Sequence, residues 1–358
     1  MILNMKNQYL KDINIGSIVD SVFILAKKTI KKTKNGQDFC VLSFQDNSGS
    51  IEGIAWPEAC QSLGLLKKGS FEEGDFVKVQ GSVSDYKGSR QLDISRLMPL
   101  SKEEKKLIAN DDFVRSSKRD AGQMFEELQI IISSFKNSYI VQLLESFFSD
   151  PGFKKDFCFW PAAVQYHHAY VGGLLEHTLS MAKTCDYLAG CYENIDRELL
   201  ITGAILHDIG KITEYGIERN GAIIKITDEG KLLGHITIGY GIVLGRVKLI
   251  KGFPKDLKER LLHIILAHHG HKEFGSPKRP KTLEAFIVYH VDHMDADIGG
   301  FNYILENSGS NAQWSEYLRN FERSVYLKPP NYLDKNDTDD EGQINTGTNN
   351  AQIKDVLF

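Results

Sequence analysis

The first hundred residues alternate short apolar segments with polar turns, which is the pattern of β-strands. Turn signals such as Asn35-Gly36 and Lys87-Gly88 separate the segments, and a helix-like stretch lies near residues 57–66. Five strands, with a helix between the third and the fourth, predict a closed OB-type barrel. A generic small β-barrel or sandwich is the alternative. The predicted strands are SVFILAK, DFCVLSFQD, GSIEGIAW, DFVKVQGSVSDY and RQLDISRLMPL.

From about residue 124 to residue 326, apolar residues recur every three or four positions, which predicts helices. Asp196 and Asp228 are expected to cap two of them, and Gly210 and Gly270 to end two of them. The predicted helices are Met124–Phe148, Gly172–Cys191, Arg197–Tyr215, Asp228–Leu249, Pro254–His269 and Thr282–Leu305.

These patterns divide the chain into an OB-type barrel over residues 14–100, a charged linker over 101–125, an all-α domain over 126–326 and a tail over 331–358. The tail carries six acidic residues and two lysines among Asn, Thr and Gly, a composition that predicts disorder. Because the formal net charge of the chain is −4, the tail accounts for all of it and the remainder is neutral. A neutral body does not exclude nucleic acid, since local basic stripes decide phosphate binding more than the total charge does.

Composition excludes several classes of protein. Hydrophobic residues make up 42% of the chain and charged residues 25%, which is ordinary for a soluble globular protein. No apolar run approaches the ~20 residues of a membrane helix, and the N-terminus turns polar within about five residues, without a secretory signal. The five cysteines are odd in number and form no CxxC motif, so we expect a reduced cytoplasmic protein without a membrane partner or a cysteine-based zinc site.

One series of metal-ligand residue types runs through the helical region. Imidazole and carboxylate groups together suit divalent transition metals. Seven such groups exceed the three that one open tetrahedral site needs. The number fits two ions that share a carboxylate, an arrangement that suits in-line attack on a phosphate ester. The series is His177, His207, Asp208, His235, His268, His269 and Asp292.

Asp208 is the expected shared carboxylate. It follows His207 near the end of an apolar helix, and neighbouring helical residues point about 100° apart, so the pair can reach two sides of one cavity. The remaining ligands are expected to form a first set of His177, His207 and Asp292 and a second set of His235, His268 and His269.

Other residues near the series have alternative interpretations. Asp295 and Asp297 can replace Asp292 as a ligand, or Asp295 can support a ligand through a hydrogen bond. A single histidine on a helix is usually structural, and we interpret four histidines in this way: His263, His271, His290 and His293.

The ordered series resembles the HD-domain metal-dependent phosphohydrolases, whose pattern is a histidine, a His-Asp pair and a terminal aspartate. With an OB-type module in front, the segments HHAYVGGLLEH, HDIGK and HHGHKEFGSP resemble the YhaM-type 3′–5′ exoribonucleases. The resemblance covers about residues 14–325 and omits the tail. The cyclic-dinucleotide hydrolases, another two-metal HD family, carry Gly-Tyr-Pro after the paired histidines. This chain has Gly275-Ser276-Pro277 there, which argues against that substrate.

The resemblance implies stepwise removal of nucleoside 5′-monophosphates from the 3′ end of single-stranded RNA, with single-stranded DNA as a second candidate substrate. It also implies two divalent metal ions and favours manganese, although the ligand types alone also suit cobalt, iron, nickel or zinc. Lys211 is a candidate phosphate clamp or a cation that satisfies a helix dipole. His168 is a candidate for contacting the substrate or protonating the leaving oxygen, or else a structural residue.

A basic and aromatic surface is expected to hold the strand. In OB folds, lysines bind the backbone and aromatic rings stack on bases without sequence readout. The alternative places Phe44 and Trp56 in the barrel core and the lysines at a solvated edge. Lys278 and Arg279 form a second basic loop, expected near the mouth of the active site. The barrel residues expected to bind RNA are Lys27, Lys28, Lys31, Lys32, Phe39 and Tyr86.

Two other functions compete with the exoribonuclease. One is an HD phosphohydrolase of free nucleotides in which the OB module is regulatory or oligomerising, although such an enzyme does not explain a full-length OB module. The other is a non-catalytic single-strand-binding protein with a vestigial HD domain, against which the complete set of ligands argues. The sequence leaves a homo-oligomer open.

Overall fold

Strands occupy the N-terminal part of the chain and helices most of the rest. The computed structural model describes residues 6–67, 69–86, 89–109, 112–164, 168–218, 223–307, 313–315, 317–318 and 321–328. His167 and the predicted acidic tail, residues 331–358, lie outside the described residues. The described residues divide into two units after Asn307, and in the second unit Trp314 pairs with Tyr326 in an isolated β-bridge.

A closed five-stranded barrel confirms the predicted OB-type fold. The strand order is β1-β2-β3-β5-β4, and a parallel pairing of β3 with β5 joins the antiparallel pairs. A short helix, α1 (Pro57–Ser62), lies between β3 and β4, as predicted. The strands are β1 (Ile18–Lys32), β2 (Asp38–Asp46), β3 (Gly49–Ala55), β4 (Phe76–Tyr86) and β5 (Ser89–Pro99).

Alternating burial along β2 shows why these segments form strands. Cys40, Leu42 and Phe44 are fully buried, and the residues between them face outward, which is the period of two expected for a strand. β1 is longer than predicted at both ends. Its first half pairs with β4 and its second half with β2, with a bulge between Leu25 and Lys27. The polar second half lacks the apolar signal, so the sequence pattern underestimates this strand.

The helical part packs around one large apolar core. A short hairpin of β6 (Tyr215–Glu218) and β7 (Ile223–Ile226) interrupts the helices. The helices are α2 (Lys102–Lys105), α3 (Ala121–Ser133), α4 (Ser138–Phe148), α5 (Pro151–Phe159), α6 (Gly173–Cys191), α7 (Arg197–Leu206), α8 (Lys211–Glu214), α9 (Asp228–Leu249), α10 (Lys255–Ala267) and α11 (Leu283–Asn307).

Two helix predictions were wrong in their limits. The segment Met124–Phe148 is two helices, because the Asn137 side chain accepts hydrogen bonds from two backbone N–H groups and starts α4. The segment Arg197–Tyr215 is divided by a turn after Leu206, so Gly210 precedes α8 instead of ending a helix.

Helix caps decide two further points. Asp196 caps α7 as predicted, whereas the residue that caps α9 is Thr227 and not Asp228, because the Thr227 hydroxyl accepts from the Gly230 N–H. Sequence reading missed α5, in which Asp150 is the cap and Pro151 is the first helical residue.

The segment between barrel and helices contacts both. Phe113 is almost fully buried and packs edge-to-face on Phe76 of the barrel, with ring centroids 5.0 Å apart. Ser116 then forms a parallel bridge with Val171, two residues before α6 begins. By length and composition alone α9 is the one helix among the described residues that could cross a membrane, and one such helix is weak evidence for a span. Val243 and Val247 of α9 pack in the helical core.

Candidate metal centre

All seven side chains of the predicted series meet between five helices. α6 carries His177, α9 carries His235 and α11 carries Asp292. The other four lie just beyond two helix ends: His207 and Asp208 follow α7, and His268 and His269 follow α10. Helix ends and helix interiors therefore supply ligand-type groups to one place.

The first set of predicted ligands surrounds one oxygen of Asp208. His177 Nε2 and His207 Nε2 lie 3.6 and 3.3 Å from Asp208 Oδ2. The same two nitrogens lie 3.3 and 3.7 Å from Asp292 Oδ1 and 3.2 Å from each other. Two imidazole nitrogens and two carboxylate oxygens, one each from Asp208 and Asp292, thus face one another.

The second set faces the other oxygen of Asp208. His235 Nε2 and His268 Nε2 lie 3.5 and 3.6 Å from Asp208 Oδ1, and the ring of His269 lies 4.4 Å from that of His268. These Asp208, His235 and His268 atoms are buried without a hydrogen-bond partner among the described residues. Buried polar atoms normally have a partner, and a cation would serve as the common partner of these three.

The spacing of the first set agrees with a metal site. Four ligands at about 2.1 Å from a tetrahedral ion stand roughly 3.4 Å apart. The donor atoms of the first set are separated by 3.2 to 3.7 Å. The residues present therefore fit a divalent ion, and Asp208 has one oxygen directed at each set.

Every one of the five histidines is anchored through its other ring nitrogen. Nδ1 lies 2.7 Å from Asp295 Oδ2 in His177 and 2.9 Å from Glu214 Oε2 in His235. In the three histidines at helix ends, Nδ1 lies 2.7 to 2.8 Å from a backbone oxygen, namely Ala204 O for His207, Ile265 O for His268 and Phe274 O for His269. A hydrogen bond donated by Nδ1 leaves the Nε2 lone pair for a metal.

Two of these anchoring groups are carboxylates, Asp295 and Glu214, and only Asp295 was considered for this role from the sequence. Two roles were expected for Asp295: replacing Asp292 as a ligand, or supporting a ligand through a hydrogen bond. The geometry favours the second role, because one oxygen of Asp295 contacts His177 and the other accepts a hydrogen bond from the Ser180 hydroxyl. Glu214 was missed. It lies three residues after Lys211, and the hairpin between α8 and α9 brings it to His235. The spacing of residues in the sequence does not predict this contact.

Charge in the centre favours cations. Burial alone would lower the pKa of His207, but the carboxylates of Asp208 and Asp292 outweigh it and raise the pKa to about 10. Burial and the adjacent His269 hold the pKa of His268 well below its usual value, so its imidazole is neutral, as ligation requires. The first set therefore attracts positive charge, and His268 of the second set presents a neutral nitrogen.

Lys211 and His168 are both engaged with the centre. The Lys211 ammonium is nearly buried and donates to Asp208 Oδ2 at 2.5 Å. His168 has a left-handed backbone, with φ of 49°, and its ring nitrogens lie 3.0 Å from the Tyr170 hydroxyl and from Asp295 Oδ2. These contacts favour roles for Lys211 and His168 in orienting Asp208 and Asp295. A phosphate contact by Lys211 and a substrate contact by His168 stay predictions.

The predicted barrel residues separate into two groups. Lys31 pairs with Phe39 across the strands, and Phe39 stacks on Trp56 with ring centroids 5.6 Å apart. Lys27 occupies the same outward face of β1 two rows away from Lys31, opposite Ser43. We call these residues the barrel face: Lys27, Lys31, Phe39 and Trp56. Trp56 is 51% exposed, so its placement in the barrel core was wrong, because it follows β3 and turns outward at the start of α1.

The other predicted contacts lie elsewhere or are already paired. The Lys28 ammonium donates to the Ser70 carbonyl at 2.7 Å, and Lys32 lies 3.6 Å from Asp38. Tyr86 is exposed at the end of β4. Lys278 and Arg279 are exposed in the loop between the paired histidines and α11.

Comparison with known proteins agrees with both halves of the structure. Residues 174–297 match the HD domain family, and residues 24–100 match the OB-fold nucleic acid binding domain family. The 3′–5′ exoribonuclease YhaM of Bacillus subtilis (strain 168) is 33% identical over 318 residues, which cover 88% of this chain and 96% of that protein.

Relatives from other bacteria are similar over the same length. YhaM of Halalkalibacterium halodurans is 31% identical over 316 residues, covering 88% of this chain and 94% of that protein. YhaM of Listeria monocytogenes (serotype 4b, strain CLIP80459) is 30% identical over 324 residues, covering 89% and 98%. Relatives matched over nearly their whole length establish that this chain belongs to the YhaM family of 3′–5′ exoribonucleases.

Proposed function

We propose that the protein removes nucleoside 5′-monophosphates one at a time from the 3′ end of single-stranded RNA. The observation that carries this proposal is Asp208, whose two oxygens face two separate sets of anchored histidines. An OB-fold barrel on the same chain supports a polymeric substrate over a free nucleotide. Single-stranded DNA is a second substrate under this proposal.

Under this proposal the centre binds two divalent ions, with manganese favoured by the resemblance. His177, His207 and Asp292 would hold one ion, His235, His268 and His269 the other, and Asp208 both. Bound in pairs, such ions activate water and stabilise the charge that develops on a phosphate ester.

The chain contributes orientation. The Lys211 ammonium donates to one oxygen of the shared Asp208 carboxylate, which fixes that oxygen and partly neutralises the carboxylate charge. Because the ammonium has almost no access to water, this interaction is only weakly screened. Asp295 receives contacts from both His168 and His177, so it couples a residue of the loop before α6 to a ligand. Fixed donors of this kind hold the reacting groups without reorganisation during the reaction.

The barrel face would hold the strand before it reaches the centre. Lys31 lies beside the Phe39–Trp56 stack, which pairs a cation for phosphate with rings for bases. Lys28 and Lys32 are less available for binding phosphate, because both already contact oxygens of the barrel. Lys278 and Arg279 remain candidates for guiding the strand.

The proposal is tested with 3′-labelled and 5′-labelled single-stranded RNA, incubated with and without manganese and repeated with Asp208→Ala. We expect immediate release of labelled mononucleotide from the 3′ label, gradual shortening of the 5′-labelled strand, and neither event with the variant. Internal cleavage, or intact binding without cleavage, contradicts it. The same assay with a DNA strand tests the second substrate.

A further inference from the structure

An exposed aromatic pair lies at the edge of the metal centre and takes no part in it. Phe274 is 59% exposed and belongs to none of the apolar cores among the described residues. The side chain of His293 is also 59% exposed. The two rings are near parallel, at 28°, with centroids 6.5 Å apart.

Each member of the pair is attached directly to a candidate ligand. The backbone oxygen of Phe274 lies 2.7 Å from His269 Nδ1, and His293 follows Asp292 on α11. The pair therefore spans from the second set of ligands to the first. These two links place the pair beside the candidate metal centre, and the nucleoside of a phosphodiester bound there would have to extend toward the pair to reach it.

The loop that carries Phe274 is held on α11. Gly270 has φ of 73°, and a Cβ at this position would lie 2.2 Å from the Tyr289 ring. The absence of a side chain at Gly270 lets the loop lie directly against Tyr289, whose ring is in turn 6.3 Å from that of His293. An exposed ring on a fixed support contributes little to folding and is suited to binding a flat ligand.

We propose that Phe274 and His293 form a stacking shelf for the base of the 3′-terminal nucleotide. This inference rests on the proposed function. Aromatic stacking accepts any base, because each base has a π-face, so the shelf would position the terminal nucleotide without selecting its sequence. It would place the last phosphodiester at the centre and favour ends that carry a base.

The test combines two proteins with two substrates. Wild type and Phe274→Ala are compared on a 5′-labelled RNA that ends in adenosine and on the same RNA ending in an abasic ribose. We expect the variant to lose about tenfold or more in kcat/KM on the adenosine end, mainly through KM, since stacking of one base contributes roughly 5- to 100-fold. On the abasic end, wild type and variant should be equal, and Phe274→Trp should restore the preference.

Phe286→Ala is the matched control, because Phe286 is 53% exposed on α11, two helical turns before His293, and packs edge-to-face on His290. It should behave as wild type on both ends. Equal loss by Phe274→Ala on both ends would overturn the shelf in favour of a structural role beside His269, and no loss on either would overturn it outright. Failure of wild type to shorten either RNA would instead contradict the proposed function.

Discussion

Each candidate ligand imidazole has its Nδ1 engaged by an oxygen of the chain, which leaves Nε2 for a metal. The ligand types were predictable from spacing, because His177, His207-Asp208 and Asp292 form an ordered series that few structural histidines would produce. The supporting oxygens were not predictable, because three are backbone carbonyls and Glu214 reaches His235 only through the fold.

Glu214→Gln tests this support at a single residue. The amide keeps an acceptor for the backbone N–H of His235 but removes the charge beside the ring, and loss of such support typically costs 10- to 100-fold in metal affinity. We expect weaker manganese binding by calorimetry and an activity that higher manganese restores. Glu218→Gln is the control, since that exposed carboxylate pairs with Lys225. Unchanged affinity in the Glu214 variant would count against the support.

At the scale of elements, two backbones approach closely where the turn after α7 meets α9. A Cβ on Gly210 would lie 2.0 Å from the His235 carbonyl oxygen and 2.7 Å from the Gly239 nitrogen. Within α9, Gly234 has φ of 71° and breaks the helix one residue before His235. Apolar spacing predicted α9 correctly but contained no sign of this kink, because a single glycine within a helical pattern is ordinary.

Gly210→Ala should therefore disturb fold and site together. A methyl group without space costs about 1–3 kcal/mol, and relief requires α9 to move and carry His235 away from the centre. We expect a melting temperature several degrees lower, accompanied by weaker metal binding. Gly241→Ala in the same helix is the control: nothing lies within 4 Å of its Cβ, and the change should stabilise by roughly 0.5–1 kcal/mol. A Gly210 variant as stable as wild type would refute the close approach.

At the scale of the whole molecule, the segment from Phe113 to Ser116 connects the barrel to the helical part. In the proposed function the barrel holds the RNA and the helical part cleaves it. Phe113 packs on the barrel, and Ser116 pairs with Val171 just before α6, the helix of His177. The barrel was predictable from strand alternation. The distribution of its lysines was not, because pairing with loop carbonyls or with Asp38 depends on which face each side chain occupies.

Lys31→Gln and Lys32→Gln separate the barrel face from the rest of the surface. Both remove one exposed charge from neighbouring positions, but only Lys31 lies beside the Phe39–Trp56 stack. In fluorescence anisotropy with single-stranded RNA at several salt concentrations, Lys31→Gln should weaken binding and reduce the salt slope by about 1, on the scale of one lost phosphate contact. Lys32→Gln should leave the slope nearly unchanged. Equal slopes for both variants would show that the strand follows another path.

Five imidazoles are each held at Nδ1 by an oxygen of the chain, and none of these contacts involves an ion. Rings held in this way would be ordered by folding and not by the metal, unlike the ligands of a zinc finger. Ions would then leave and return while the helices stay in place. Under the proposed function, RNA turnover would follow the supply of free divalent metal, and a metal-starved cell would keep an intact, silent enzyme that resumes work as soon as the supply returns.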